Sequence, residues 1–230
     1  EVGPTTHYMM GGITVDAETG ASSLKGMYAA GEAAAGLHGA NRLGGNSLSD
    51  LLVFGNIAGR SAANFALSTE EISVSKGKIK KTANAILDCF SETKSENPYH
   101  LHQELQDIME MHAGIVREEE SVNEGIEKLK NLSERAENAK ETGDRSYNPS
   151  WHLCLDMKNM LITSLAIAEA AKERRESRGG HTRLDYPEYD NELGSLNIII
   201  RKGPDGLNIV KSDKKTMPND LHEYVLKEAV

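Results

Sequence analysis

The densest concentration of residues able to do chemistry is His38-Gly39-Ala40-Asn41-Arg42-Leu43-Gly44-Gly45-Asn46-Ser47-Leu48. It sets one arginine among residues too small to shield it, just ahead of a helix start. A guanidinium fork holds a carboxylate through two parallel hydrogen bonds, a contact that lysine does not reproduce. The exposed N–H groups of a helix beginning at Ser47 offer a second place for negative charge. Fork and helix end together suit two anionic groups bound near each other. The structural alternative pairs Arg42 with a core carboxylate and makes Asn46-Ser47 an ordinary helix cap; the cap and the ligand role are compatible.

Three further stretches carry weaker signals. In Thr5-Thr6-His7-Tyr8-Met9-Met10-Gly11-Gly12-Ile13, a histidine beside paired glycines can donate a hydrogen bond to an anion in a cramped site, or can be a loop histidine with a local partner. In Tyr28-Ala29-Ala30-Gly31-Glu32, a carboxylate follows a strand-like run. Open α/β sheets place groups there that accept hydroxyls from a ribose or ribityl chain; the alternative is a solvent-facing residue at a helix start. Arg178-Gly179-Gly180-His181-Thr182-Arg183 reads best as a charge-paired link that holds one part of the chain against another, with a polar pocket as the other possibility.

The elements that must position these residues follow from period and punctuation. Residues 1–68 are rich in Gly and Ala, as suits backbone that closely approaches a ligand or another backbone. Within them, residues 27–30 read as a short buried strand closed by Gly31, and Asn46-Ser47 as the cap of a helix running to about Leu67. Its Gly55, Gly59, Ala62 and Ala66 form a slim face. From about residue 75 to 176 the pattern is charged and amphipathic. Helices are expected over 76–89, over 99–115 behind Pro98, between Glu118 and Lys140, and over 150–175 behind Asn148-Pro149. In the third of these, Val122, Ile126, Leu129, Ser133 and Ala136 recur at helix-seam spacing, with Gly143-Asp144 as the stop. Short connections make the set an antiparallel bundle. Leu196–Arg201 and Leu207–Val210 flank a Gly-Pro-Asp-Gly turn and read as a hairpin.

Composition bounds the rest. A formal net charge of −9 excludes a nucleic-acid binder that relies on a basic face. The two cysteines, Cys89 and Cys154, have no metal-ligand spacing around them, so neither a disulfide framework nor a zinc site is expected. No apolar run reaches the roughly 18 residues that suggest a membrane span. The chain starts Glu1-Val2-Gly3-Pro4 and runs straight into a functional motif, which reads as a truncation.

Taken together, PTTHYMMGGI (residues 4–13), GMYAAGEAAAGLHGANRLGGNSLSDLL (residues 26–52), residues 111–117 and the ESRGGHTRLDYP run within residues 147–187 resemble the flavoprotein subunit of the succinate dehydrogenase and fumarate reductase family. The resemblance implies an enzyme that interconverts succinate and fumarate by hydride transfer to or from FAD. It implies His7 and Arg42 as ligands for the two ends of the dicarboxylate, Glu32 as an FAD-binding glutamate, and Asn46, Ser47 and Leu48 at the flavin ring. It implies, as partners, an iron–sulfur subunit together with membrane-anchor subunits, passing electrons to a quinone, and a peripheral place on the cytoplasmic face of the membrane. The chain is expected to be a remnant of an FAD-binding domain (1–70), a helical bundle (75–176) and a small C-terminal α+β segment with a hairpin (177–230), helix-rich throughout. The family's GxGxxG pyrophosphate cradle and its capping domain, with the proton-transfer arginine, have no counterpart here, so the fragment is expected to bind FAD weakly or not at all and to be inactive alone. L-aspartate oxidase shares the HGANR and NSL pattern and is the alternative within flavoenzymes; a non-catalytic interaction module is the alternative outside them.

Overall fold

The computed structural model describes residues 7–70, 73–90, 96–204, 206–219 and 221. Residues 4–6 of the first motif, the turn residue Asp205 and the last nine residues lie outside that set. The chain is helix-rich, with two small sheets. Element order is α1 (Asn46–Ser68), α2 (Lys76–Leu87), α3 (Pro98–Ala113), β1 (Val116–Arg117), α4 (Glu119–Ala136), α5 (Pro149–Glu173), β2 (Thr182–Arg183), α6 (Asn191–Gly194), β3 (Leu196–Gly203) and β4 (Gly206–Asp213).

Local chemistry sets most helix starts. The Tyr99 N–H donates to Asn97 Oδ1 at 2.9 Å ahead of Pro98, and the Trp151 N–H to Asn148 Oδ1 at 3.1 Å ahead of Pro149. Both pairs join a capping side chain to a proline whose missing donor costs nothing in the first turn. The Lys78 N–H donates to Ser75 Oγ at 3.2 Å. Helix α1 departs from expectation: its cap is Gly45, at φ 82°, and neither Asn46 nor Ser47 makes a side-chain capping bond. Only a residue without Cβ adopts that left-handed turn at no steric cost. Asn46 and Ser47 are therefore the first helical residues rather than the cap.

The main core lies between α3, α4 and α5. Leu101, Leu105 and Ile108 of α3 meet Val122, Ile126, Leu129 and Leu132 of α4 and Cys154, Met157, Leu161 and Ala168 of α5. Burying each such Leu or Ile contributes about 1.5–3 kcal/mol. Helix direction follows from end-to-end contacts. Arg135, late in α4, pairs with Glu104, early in α3, at 2.8 Å, while Lys158, early in α5, pairs with Glu137 just past α4, also at 2.8 Å. Helix α4 thus runs opposite to both neighbours. The seam also takes in Leu132, which the spacing missed, whereas Ser133 is half-buried and bonds the Leu129 carbonyl.

Two expected elements differ. Residues 27–30 form no strand; Tyr28 makes only an isolated bridge to Ala21, because the neighbouring backbone turns away after Ser22 and Gly20. Helix α4 ends at Ala136, before the Gly143-Asp144 stop. There the chain leaves the helix to bridge Ala139 to Glu96 and Glu141 to Phe90, with the Glu141 N–H donating to the Cys89 carbonyl at 2.7 Å.

The tail is stitched to the helices and to the first segment. β1 and β2 pair in parallel, Val116 with Thr182 and Arg117 with Arg183, while β3 and β4 form the expected hairpin from Leu196↔Asp213 to Gly203↔Gly206. Helix α1 stands apart, with Leu48, Leu51, Leu52 and Val53 exposed. A Cβ added at Gly55 or Gly59 would meet only open space.

Candidate functional site

Residues 7–13 run beside the single turn of 3₁₀ helix at Gly31–Ala33. The Ile13 N–H donates to the Ala33 carbonyl at 2.8 Å, and the Ala35 N–H to the Ile13 carbonyl at 2.9 Å. The approach is close because Gly12 sits at φ 131°; a Cβ there would stand 2.5 Å from the Ala33 oxygen. The same seam ties in Glu32, whose Oε1 accepts the Met9 N–H at 2.8 Å.

This ladder delivers His7 to the loop of Arg42. An Arg42 Nη2–H donates to His7 Nε2 at 3.0 Å, and Nη1 donates to the Leu43 carbonyl at 3.1 Å. Guanidinium groups only donate, so His7 accepts with Nε2 and carries its proton on Nδ1. The Arg42 guanidinium carbon lies 4.5 Å from the Tyr8 ring centroid, and its Nε is buried without a hydrogen-bond partner. Among the described residues Arg42 has no carboxylate partner, so pairing with a core carboxylate is not what occupies it.

The buried carboxylate in this region, Asp50, is taken by another residue. His38 Nε2 donates to Asp50 Oδ2 at 3.1 Å, and Asp50 is 5% exposed in the second turn of α1. The His38 and Tyr8 rings meet edge to face, with centroids 5.4 Å apart. Burial, helped by the carboxylates of Asp50 and Glu32, holds the Tyr8 hydroxyl above the usual phenol range. Sequence pattern assigns no role to Tyr8 or Asp50, and marks His38 only as part of its motif. Their pairings cross turns and follow no period, so the signal available was that all three lie within the two motif-bearing stretches.

Asn46, Ser47 and Leu48 open α1 behind Gly45. The Leu48 N–H reaches only the Gly45 carbonyl, at 3.3 Å, and no side chain caps the turn. First-turn N–H groups left in this way carry the positive end of the helix dipole. Glu32 is exposed, on the turn that touches α1 through Gly31 and Leu51. These features fit an anionic, hydroxyl-bearing cofactor such as FAD, with Glu32 accepting from hydroxyls and the α1 terminus favouring negative charge on the ring.

The tail link is occupied with its own charges. Glu176 is fully buried between Arg174 and Arg178. Burial opposes its charge, yet hydrogen bonds from Arg178, the Asp190 N–H and Arg174 outweigh that and hold the carboxyl at about 2. His181 accepts from Arg117 at 2.8 Å and donates to the Arg174 carbonyl at 2.9 Å. Burial first, and then the charges of Arg117, Arg183 and Arg174, keep it below the usual histidine range.

The family described as fumarate reductase flavoprotein C-term matches residues 102–217, half of the chain. The chain belongs to the succinate dehydrogenase and fumarate reductase flavoprotein family. An FAD-binding domain family matches residues 1–48 of this flavoprotein chain, the stretch that holds His7, Glu32, Arg42 and the start of α1. The chain is 39% identical over 201 residues to the succinate dehydrogenase flavoprotein subunit of Coxiella burnetii, covering 82% of this chain and 34% of the relative. It is 36% identical over 214 residues to the fumarate reductase flavoprotein subunit of Mycobacterium tuberculosis, covering 89% of this chain and 36% of the relative. Among solved structures it is similar to Mycobacterium smegmatis Sdh1 in complex with UQ1, at 43% identity and TM-score 0.90, covering 97% of this chain and 38% of that one. The flavoprotein chain thus spans about a third of the length of the curated relatives it matches.

Proposed function

We propose that this chain forms one wall of a site that interconverts succinate and fumarate, with FAD as the redox partner. The observation that carries the reading is the convergence of Arg42 and His7 at 3.0 Å, with no protein carboxylate on the arginine among the described residues. A guanidinium left without a counter-ion is a carboxylate receptor, and the imidazole beside it, whose Nε2 accepts from Arg42, gives a second donor through its Nδ1–H. Held at both ends, a four-carbon diacid has its central C–C bond fixed in place, and positioning of that kind supplies a large part of a rate enhancement. FAD, when bound, supplies the hydride acceptor or donor. The residues that suit it here are Glu32, through its exposed carboxylate, and Asn46, Ser47 and Leu48, through the uncapped start of α1.

In this reading residues 1–70 are the C-terminal part of an FAD-binding domain, residues 75–176 a helical domain, and residues 177–230 a C-terminal segment. The exposed leucines of α1 and the open face at Gly55 and Gly59 support the first assignment, since an apolar helix face of this size ordinarily packs against another layer. Partnership with an iron–sulfur subunit plus membrane-anchor subunits, electron flow to a quinone and a peripheral place on the cytoplasmic face rest on membership of the family. No helix among the described residues is long and apolar enough to cross a membrane.

The test is turnover of the complete flavin-loaded protein with succinate and a dye acceptor. Arg42→Lys is expected to lower kcat/KM at least about a hundredfold, the scale of losing one preorganised charge-stabilising donor. Unchanged turnover in that variant would move the chain to a docking role, and oxidation of L-aspartate in place of succinate would move it to the oxidase branch.

A further inference from the structure

We infer that Tyr8, His38 and Asp50 are positioning residues for Arg42, forming a stacked support that aims its guanidinium at the substrate carboxylate. The inference rests on Arg42 being the dicarboxylate ligand. It starts from a geometric problem: a free arginine has several rotatable bonds and roughly 2 kcal/mol of side-chain entropy to lose on fixing its fork. The usual device is a carboxylate behind the guanidinium, and among the described residues this arginine has none. A carboxylate there would also compete with an incoming anion. The chain holds the group by other means.

The Tyr8 ring lies 4.5 Å beneath the guanidinium carbon, close enough for a cation–π contact that uses the face of the group and none of its N–H bonds, two of which go to the Leu43 carbonyl and to His7. The ring is fixed in turn by His38, edge to face at 5.4 Å. His38 is anchored at 3.1 Å to Asp50, which is buried in α1. Asp50 is the rigid end of the support, because it belongs to a 23-residue helix. It also faces the Tyr8 hydroxyl, which burial and the carboxylates keep protonated. Arg42 and Asp50 are thereby coupled across the turn that starts α1, and the fork keeps its orientation relative to the first-turn N–H groups at Ser47 and Leu48. Asp50 reaches Arg42 through the His38 and Tyr8 rings and makes no ion pair with it, which leaves the guanidinium to an incoming anion.

The experiment uses the complete flavin-loaded enzyme, with rates normalised to bound flavin. Tyr8→Leu removes the stacking face and is expected to raise the KM for succinate about tenfold, the scale of a partly desolvated cation–π contact. Tyr8→Phe keeps the face and is expected to stay within about twofold of the parent. Asp50→Asn, which keeps a hydrogen-bond acceptor for His38, is expected to raise KM by a smaller factor than Tyr8→Leu. In an Arg42→Ala background, Tyr8→Leu is expected to add no further KM change, because no guanidinium remains to aim. Loss of flavin or of folded protein in Tyr8→Leu with KM unchanged per flavin would overturn the inference, as would equal KM effects with and without Arg42. If Arg42→Ala itself left KM unchanged, the dicarboxylate reading would fail instead.

Discussion

The Gly180 N–H donates to the Ala40 carbonyl at 2.9 Å, which fastens the arginine-rich link after α5 to the loop that carries Arg42. The two segments are 140 residues apart in sequence, and the contact depends on glycine. Gly179 sits at φ 60°, and a Cβ there would stand 2.4 Å from the Ala40 oxygen, backbone that cannot swing aside as a flexible side chain would. Gly179→Ala is therefore expected to destabilise the chain by about 1–3 kcal/mol, read as a lowered urea midpoint. The same variant in the complete enzyme is expected to weaken succinate binding, because Ala40 lies two residues from Arg42.

Acid is expected to loosen the tail before it loosens the helices. Hydrogen bonding from Arg183 is the main cause that holds the Asp185 carboxyl at about 2, and Glu176 is held at about 2 as well. Both folded values lie below the unfolded carboxylates, near 4. The stabilisation they give is full above that unfolded range and is lost as pH falls toward 2. Unfolding free energy should decline between about pH 5 and 2, and Arg183→Met should flatten that dependence. Arg183 is fully buried, and it also donates to the Ala171 and Lys172 carbonyls. Its replacement should cost about 3 kcal/mol at neutral pH, measured by urea unfolding.

Gly125 tests the α3–α4 seam. In isolation, alanine in place of a helical glycine stabilises by about 1 kcal/mol. Here the new Cβ would stand 2.5 Å from His112 Cβ, and His112 is buried and held by Ser121 and Lys128. Overpacking of that kind costs typically 1–3 kcal/mol, so Gly125→Ala should come out net destabilising. A raised melting temperature would mean that the seam yields.

The two cysteines should be inert in the folded chain. Both thiols are buried in the helical core, and burial pushes Cys89 above its ordinary value and Cys154 up to about 11. Thiolates do the reacting, so iodoacetamide at pH 8 should modify neither residue until denaturant is added. Rapid native labelling, read by mass spectrometry, would contradict the packing.

Much of the helical part was legible in the sequence because its signals are local. Asn148-Pro149 and Pro98 marked helix starts that the structure keeps within a residue, and the spacing of Val122, Ile126 and Leu129 marked the buried face of α4. What failed was set by partners distant in sequence. Residues 27–30 have strand-like composition, but a strand needs neighbours, and Tyr28 finds only Ala21. Helix α4 stops early because the Cys89 carbonyl captures Glu141. The start of α1 was placed correctly and its cap was not, since Gly45 does through backbone conformation what Asn46 or Ser47 was expected to do through a side chain.

At the site, the arginine and histidine stood out by residue type, and their meeting across 35 residues came only from the fold. Asp50 was invisible because, in α1, a lone acidic residue among leucines reads as solvent-facing. It is buried because His38, twelve residues earlier, turns back to meet it.

The bare leucines along α1 also govern how this polypeptide behaves in a test tube. With Leu48, Leu51, Leu52 and Val53 wetted and Gly55 and Gly59 leaving a shallow trough behind them, the readiest way to shed that ordered water is for two molecules to lay these ridges together. Self-association of the isolated chain should therefore rise with concentration, read by light scattering.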